Sequence, residues 1–509
     1  MKPFLKDIPY IDKISEVLAP GQEAYVVGGT VRDLALGRTT GDIDIAVTGD
    51  SGALAARIAV SLGGSPFCMD EGRDVYRVMV AGGQPAQVDI TPLKGDIHVD
   101  LAARDFSINA MAIPMMGKSP PSPPFVKGGM GGFRSHTGVS PGKLEAESGG
   151  AGVGGMGGFL DPFGGMADLR AGIVRALDRD SFTADPLRLI RAFRIARQLG
   201  FSIERDTLSY IRQLAPEIGK VSAERVRDEL YIILEGEGSS GVFREMSDAG
   251  LLAAVIPEAG AMYGVPQSEP HVYDLMEHSL KAMEYAERVM AEPGRYFGVR
   301  AVEVGETLGE KADGGLSMAG LAKLAAFLHD VGKPSCMKRE TERIRFTGHD
   351  EEGGRIAQGI AERLKMSARA AGCLSLTARW HMRPLHMSKY GCTRHAVYRY
   401  VRDMGESLPV SLVLAMADTL ATRDRPDAVA TDVEGVVKSV VEYYYGEYAR
   451  AKAEPLLRGR DLIDALGLTP GPAFSRILED VEEKRAEGEI TTREEAERYV
   501  KENLGRFNL

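Results

Sequence analysis

The sequence predicts an α+β chain of 509 residues: a small mixed-sheet head, then an all-α remainder. Two observations carry this reading. Before residue 114, short strand-like runs alternate with helical segments, and from about residue 166 helical periodicity dominates to the C-terminus. The stretch between them, 115–159, is rich in Gly and Pro, opens near Pro-Pro-Ser-Pro-Pro and contains Gly-Gly-Met-Gly-Gly-Phe twice. Such a composition cannot bury enough apolar area to fold and reads as a disordered insertion.

In chain order, Tyr25-Val26-Val27 reads as a strand, and Gly28-Gly29-Thr30-Val31-Arg32-Asp33 as a glycine turn opening a helix. Bare amides at a helix start suit a triphosphate. The next strand carries Asp42 and Asp44 within Gly41-Asp42-Ile43-Asp44-Ile45-Ala46-Val47. On a strand these two carboxylates share a face, roughly 6–7 Å apart, a pairing that favours a divalent metal. An alanine-rich helix, Gly52 to Leu62, leads to two alternating strands, 75–80 and 87–90, joined by a turn at 81–85. The second strand carries a third carboxylate, Asp89. Two-metal nucleotidyl or phosphoryl transfer needs ions about 3.5–4 Å apart, and three carboxylates on neighbouring strands can hold them. A phosphate cradle beside that trio points to nucleotidyl transfer.

Apolar residues make up 44% and charged residues 26% of the chain, ordinary for a globular protein, and the length allows several domains. Cys68, Cys336, Cys373 and Cys392 lie far apart with no CxxC pair, which argues against a structural zinc site or a disulfide framework. The N-terminal residues lack a signal-peptide core and no run approaches ~20 apolar residues, so no membrane is expected and the cytoplasm is the default. A net charge of −10 disfavours nucleic acid as a whole-chain sum, but Arg188, Arg191, Arg194 and Arg197 form a stripe without an intervening acid. That stripe reads as a phosphate-facing surface.

Four motifs, in this order, resemble those of the class II nucleotidyltransferases: Gly28-Gly29-x-Val31-Arg32-Asp33, Gly41-Asp42-Ile43-Asp44, Arg104–Ala112, and Asp185–Arg194. That family comprises CCA-adding tRNA nucleotidyltransferases, their CC- and A-adding relatives and bacterial poly(A) polymerases. The resemblance implies a DNA-polymerase-β-like head, with Gly28, Gly29, Arg32 and Asp33 at the triphosphate and two Mg2+ held by Asp42 and Asp44 and completed by Asp89. It implies Arg104, Asp105 and Asn109 at the sugar and phosphates, Asp185 and Arg188 at the base edge, Arg191 near the phosphates, and Arg194 and Arg197 on RNA. Asp185 and Arg188, three apart on a helix, would share a face and offer an acceptor and a donor fork. Ala184 stands where the family often has Glu, which leaves the base preference open. The implied partners are tRNA, CTP and ATP.

Six of the nine histidines fall between 271 and 386. His278, His329-Asp330, His349, His381 and Asp418 follow the order H…HD…H…H…D and resemble the HD phosphohydrolase superfamily. The resemblance implies a metal cage of His278, His329, Asp330 and Asp418, with His349 and His381 supplying a second metal (Mn, Ni, Fe or Mg) and a phosphohydrolase side activity. His386 and His395 read as structural. In the tail, Thr491 or Thr492 with Glu494 or Glu495 reads as a capping box.

The expected organisation is a head at 1–114 with 160–168, the insertion at 115–159, a helical neck at 169–262, an HD body at 263–430 with a loop at 292–318, and a helical tail at 431–509. The expected function is template-independent addition of C and/or A to the tRNA 3′ end. The alternatives are a poly(A) polymerase, a CC- or A-adding specialist, or an HD phosphohydrolase with an RNA-binding head.

Overall fold

The computed structural model describes residues 8–39, 41–80, 87–115, 160–340, 343–424, 426–464 and 467–507. The expected insertion at 115–159 and the turn at 81–85 lie outside the described residues, save Met115. The chain divides into two compact units, one of Met1–Ala184 with Leu199–Thr207 and one of Asp185–Gln198 with Leu208–Leu509.

The first unit is built on a six-stranded mixed sheet. Its elements are α1 (Ile11–Glu16), β1 (Ala24–Val27), α2 (Gly28–Ala35), β2 (Asp42–Val47), α3 (Ser51–Leu62), β3 (Ser65–Asp70), β4 (Val75–Met79), β5 (Gln87–Pro92), α4 (Ile97–Ala102) and β6 (Ala112–Pro114). The strand order is β3-β4-β5-β2-β1-β6, and only β2 and β5 run parallel. Alternation along β2 sends Ile43 and Ile45 to one face, both fully buried, and Asp42 and Asp44 to the other. The helix α3, capped by Asp50 accepting from the Ala53 amide, packs on β3, β4 and β5. Its Leu54 and Ile58 are buried there. The strand β3 escaped the sequence reading because Ser-Pro-Phe-Cys-Met-Asp scarcely buries any side chain. As an edge strand it tolerates Pro66.

The second unit is helical apart from two short hairpins. Its core places helix Leu275–Ala291 against Leu408–Arg423 and Met318–Leu328, and His349–Arg363 against Ala368–Trp380. Met318–Leu328 is buried along its length except at Ala319. That is why its sequence, Met-Ala-Gly-Leu-Ala-Lys-Leu-Ala-Ala-Phe-Leu, is apolar on every side. The expected loop at 292–318 is instead folded: helices Pro293–Phe297 and Ala301–Gly309 lead to a hairpin of Lys311–Asp313 and Leu316–Ser317. Tyr296, Phe297, Val304 and Leu308 are buried among these elements and outweigh the local Gly and Glu content.

The C-terminal residues form a small helical cluster around Leu457, Leu462, Ile477, Val481 and Val500. Its last helix, Arg493–Asn503, opens on a capping box between Thr492 and Glu495.

Candidate active site

In the head unit, register aligns the chemistry. Asp44 of β2 lies opposite Asp89 of β5, which lies opposite Arg77 of β4. Asp42 is one pleat along on the same face as Asp44. Asp89 is not left to a cation alone: Arg77 grips both its oxygens, Nε to Oδ1 at 2.6 Å and Nη2 to Oδ2 at 2.7 Å. Arg77 belongs to no motif, and its place on an alternating strand beside Asp89 is the one sequence signal for it.

The helix α2 starts directly behind these carboxylates. Gly28 has φ +67°, and a Cβ there would stand 2.8 Å from the Arg104 guanidinium and 3.1 Å from the Asp44 carboxylate. Only glycine therefore lets the helix start approach the acidic strand. Thr30, also missed, ties the two together: its hydroxyl donates to the Asp42 carbonyl at 3.1 Å and accepts from the Asp44 amide at 2.8 Å.

Burial chiefly, with the Asp89 and Asp42 charges, pushes the Asp44 carboxyl up to about 6, against the opposing pull of Arg104 and Arg32. A carboxylate cluster whose central member is held toward its neutral form is a donor set short of positive charge. It fits a divalent cation.

The remaining predicted head residues gather around α2. Arg32 donates to Asp33 by Nε and Nη2, at 2.9 and 3.1 Å, and to the Asn109 amide oxygen at 3.0 Å. Asn109 in turn donates to buried Asp105 at 2.9 Å. Arg104 is held by Asp100 at 3.0 Å. Gly28, Gly29, Arg32, Asp33, Arg104, Asp105 and Asn109 thus form one continuous polar wall.

In the second unit, helices α7 (Arg188–Leu199) and α9 (Ala223–Glu235) carry the arginine stripe and its partners, with α8 (Arg205–Leu214) between them in sequence; α5 (Gly165–Ala171) and α6 (Asp180–Ala184) belong to the first unit. Asp185 is not on the helix with Arg188, as expected, but in the turn before it, where its Oδ1 accepts from the Leu187 amide at 3.3 Å and its Oδ2 from Arg225 at 2.8 Å. Pro186 explains this, since the residue before proline is driven out of helical backbone. The stripe is not free of acid either. Glu229 of α9 accepts from Arg194 at 2.6 Å and stands 3.8 Å from Arg191, while Arg197 donates to the Glu237 carbonyl.

The histidines and aspartates singled out in the sequence lie close together, but Asp330, expected with His278, His329 and Asp418, groups with His349 and His381. His278, His329 and Asp418 form one group of ligand atoms, and Asp330, His349 and His381 a second, each within 4.8 Å. Asp330 joins the two, with Oδ2 at 3.0 Å from His329 Nε2 and Oδ1 at 3.4 Å from His349 Nε2. His329, His349 and His381 each donate Nδ1–H to the carbonyl three residues earlier, at 2.9, 2.8 and 2.6 Å. This fixes each ring's orientation and turns each Nε2 inward.

Burial lowers His381 to about 4, keeping it a neutral donor. Burial also opposes charge on His329, but Asp330 and Asp418 override it and raise the imidazole to about 10. His329 Nε2 lies 3.0 Å from Asp330 and 3.6 Å from Asp418, and inward-facing imidazoles beside two buried carboxylates are a donor set that also fits a metal.

Gly332 is obligatory, because a Cβ would meet the His349 carbonyl at 2.2 Å. Lys333 pairs with Asp330 at 2.6 Å and donates to Gln267 at 2.7 Å. A cavity of about 560 Å³ opens over the cluster and is lined by Lys333, His271 and His386. His271, which the sequence reading left out despite its place in the histidine-dense segment, packs edge-on against His278 at 5.0 Å between centroids. His386 thus borders the cavity rather than serving structure alone, while His395 pairs with Glu487 at 2.7 Å.

A glycine-opened helix over strand carboxylates, with a helical HD cluster in a following unit, defines a metal-dependent nucleotidyl-transfer protein bearing an HD domain. The profile of the poly A polymerase head domain matches residues 24–94, that of the probable RNA and SrmB-binding site of polymerase A residues 200–262, and that of the HD domain residues 275–423. The A-adding tRNA nucleotidyltransferase of Deinococcus radiodurans is 30% identical over 494 residues, covering 94% of each chain. The CC-adding tRNA nucleotidyltransferase of Geobacter sulfurreducens is 30% identical over 481 residues, 94% of this chain and 92% of the other. A CCA-adding enzyme solved with CTP shares the fold, with a TM-score of 0.63 at 22% identity over 98% of this chain and 97% of that one. The chain belongs to the tRNA nucleotidyltransferase family. Among the described residues no helix is long and apolar enough to cross a membrane.

Proposed function

We propose that the protein adds C and/or A, without a template, to the 3′ end of tRNA from CTP and ATP. The observation that carries this reading is the register of Asp44 with Asp89 directly beside a helix start that only Gly28 permits. In the reaction the tRNA 3′-oxygen forms a bond to the α-phosphorus and the bond to the leaving pyrophosphate breaks. Asp42, Asp44 and Asp89 would hold magnesium, which when bound activates the hydroxyl and neutralises the developing phosphate charge.

The chain's own groups bind and orient. The amides of Gly28 and Gly29 and the guanidiniums of Arg32 and Arg104 take the phosphates. Asp33 holds the Arg32 guanidinium in place, and Asp105 orients Asn109 toward the sugar. Asp185 and Arg188 read the base edge, Arg191 meets the phosphates, and Arg194 and Arg197 face the RNA backbone. The ion pairs these residues make with Arg225 and Glu229 pre-position them.

The HD clusters His278–His329–Asp418 and Asp330–His349–His381 would hold divalent cations, which supply a hydroxide for phosphoester hydrolysis as a second activity. Lys333, beside Asp330, is the cation that would meet a phosphate there.

A narrower reading, addition of CC alone or A alone, is favoured by a specific observation: relatives matched over 94% of this chain carry those two names. Transcripts of tRNA ending before the first C, after the second C, and complete, each given CTP, ATP or both, separate these. Arrest after the full CCA supports the broader reading; A added only to the CC-ending transcript, or arrest at CC, supports a specialist. A long adenylate ladder or no incorporation overturns both.

A further inference from the structure

Helix Arg394–Met404, the segment Tyr443–Ala453 and helix Ala473–Glu487 line a half-open cavity of about 600 Å³ within the second unit, apart from the histidine clusters. This is the size of a small-ligand site. Tyr398, Tyr443 and Tyr448 line it. Tyr448 lies 6.4 Å from Tyr398 at 59° and 6.2 Å from Tyr443 at 45°, so these rings do not stack face to face on one another. Tyr444 backs Tyr448 at 6.1 Å and 19°.

Residues 444–448 form a π-helical turn, a widening that recurs at functional positions. Glu482, its side chain 26% exposed, reaches this cavity with its Oε1 buried; its Oε2 lies 3.5 Å from Arg485, and the carboxylate also faces the Leu456 backbone amide. At the rim, Lys452 and Arg450 are exposed, and among the described residues neither has a carboxylate partner.

Each feature asks for part of one ligand. Aromatic walls suit a planar base, because base–aromatic stacking tolerates any π-face. A carboxylate oxygen buried in the wall needs a donor, which an exocyclic amino group supplies; uracil has no such group, and its ring N3–H lies between two carbonyl oxygens that would face the carboxylate. Unpaired cations at the mouth suit a phosphate. We propose that this cavity is a second nucleotide site, taking a nucleobase that bears an exocyclic amino group with its phosphate at Arg450 and Lys452. The nucleotide is either free or part of an RNA strand. The inference does not depend on nucleotide addition by the head, and its readout is binding at mapped residues.

The full-length protein is photolabelled with 8-azido-AMP, and separately with RNA carrying 8-azidoadenosine, and the labelled peptides are mapped. Label on peptides spanning 394–402 or 443–486 from the mononucleotide indicates a free ligand, and label there from RNA alone indicates an RNA base. Both support the site, whatever label appears on head peptides. Competition by AMP, CMP and GMP should exceed that by UMP by ~10-fold. The Glu482→Leu variant should bring the four to near parity, and Tyr448→Ala should weaken labelling ~5- to 100-fold. The rim variant Lys452→Ala, at an exposed position that cannot unfold the chain, should weaken all four bases alike. Absence of label from both probes, or labelling unchanged in Lys452→Ala and Tyr448→Ala, overturns the proposal.

Discussion

Replacing Asp44 by Asn should make the metal-free protein more stable while removing its transfer activity. The Asp44 carboxyl is raised from 3.8 to about 6, first by burial and then by its acidic neighbours. A shift of about two units corresponds to about 3 kcal/mol. Because the folded-state value is the higher one, folding takes up a proton between the two. The stability this group contributes is fully present below about 3.8 and is lost as pH rises through about 6. At pH 7.5 in chelator the wild type therefore carries the whole cost, and the Asn variant does not. For a unit of this size about 3 kcal/mol should raise the head transition by roughly 6–10 °C. At pH 4.5 the difference should shrink to about 1 kcal/mol. Scanning calorimetry across that range, with chelator and then with excess Mg2+, checks it; Mg2+ should stabilise the wild type more than the variant. An Asn variant that is no more stable at pH 7.5, or whose gain does not fade with acid, would refute the account of a frustrated carboxylate cluster.

Thr30→Val should cost ~1–3 kcal/mol by stranding the Asp42 carbonyl and the Asp44 amide, and should lower turnover ~10- to 100-fold; denaturant titration and steady-state kinetics read the two effects. Loading the HD cluster with Mn2+ at pH 7.5 should release about one proton from His329, measured by titration calorimetry in buffers of different ionisation enthalpy. Asp185→Ala should relax nucleotide choice by ~5- to 150-fold, seen as misincorporation of UTP or GTP. Thr492→Ala should lower the stability of the C-terminal helical cluster by ~1 kcal/mol in urea titration.

The sequence showed most of the site because its signals were local. Asp42, Asp44 and the Gly28 turn lie within one strand–helix–strand unit, and the histidine order follows successive helices. What it hid was pairing across elements. Arg225 on Asp185 and Glu229 on Arg194 join residues 40 and 35 positions apart, which no periodicity announces, and Arg77 on Asp89 was marked only by its place on an alternating strand. The stripe of arginines looked unopposed only because its acid comes from the next helix but one. The segment 292–318 looked loop-like from its Gly and Glu content, yet Phe297 and Val304 bury completely or nearly so, a fact decided by tertiary packing. The strand β3 was invisible for the opposite reason: an edge strand that buries little writes no alternating pattern.

The most direct test of the central claim pairs incorporation of labelled CTP and ATP into tRNA lacking its 3′ end with pyrophosphate release, for the wild type and for Asp44→Ala. One pyrophosphate per nucleotide added in the wild type, and neither signal in the variant, is the predicted result. Turnover that survives Asp44→Ala, or label incorporated without pyrophosphate, would contradict it.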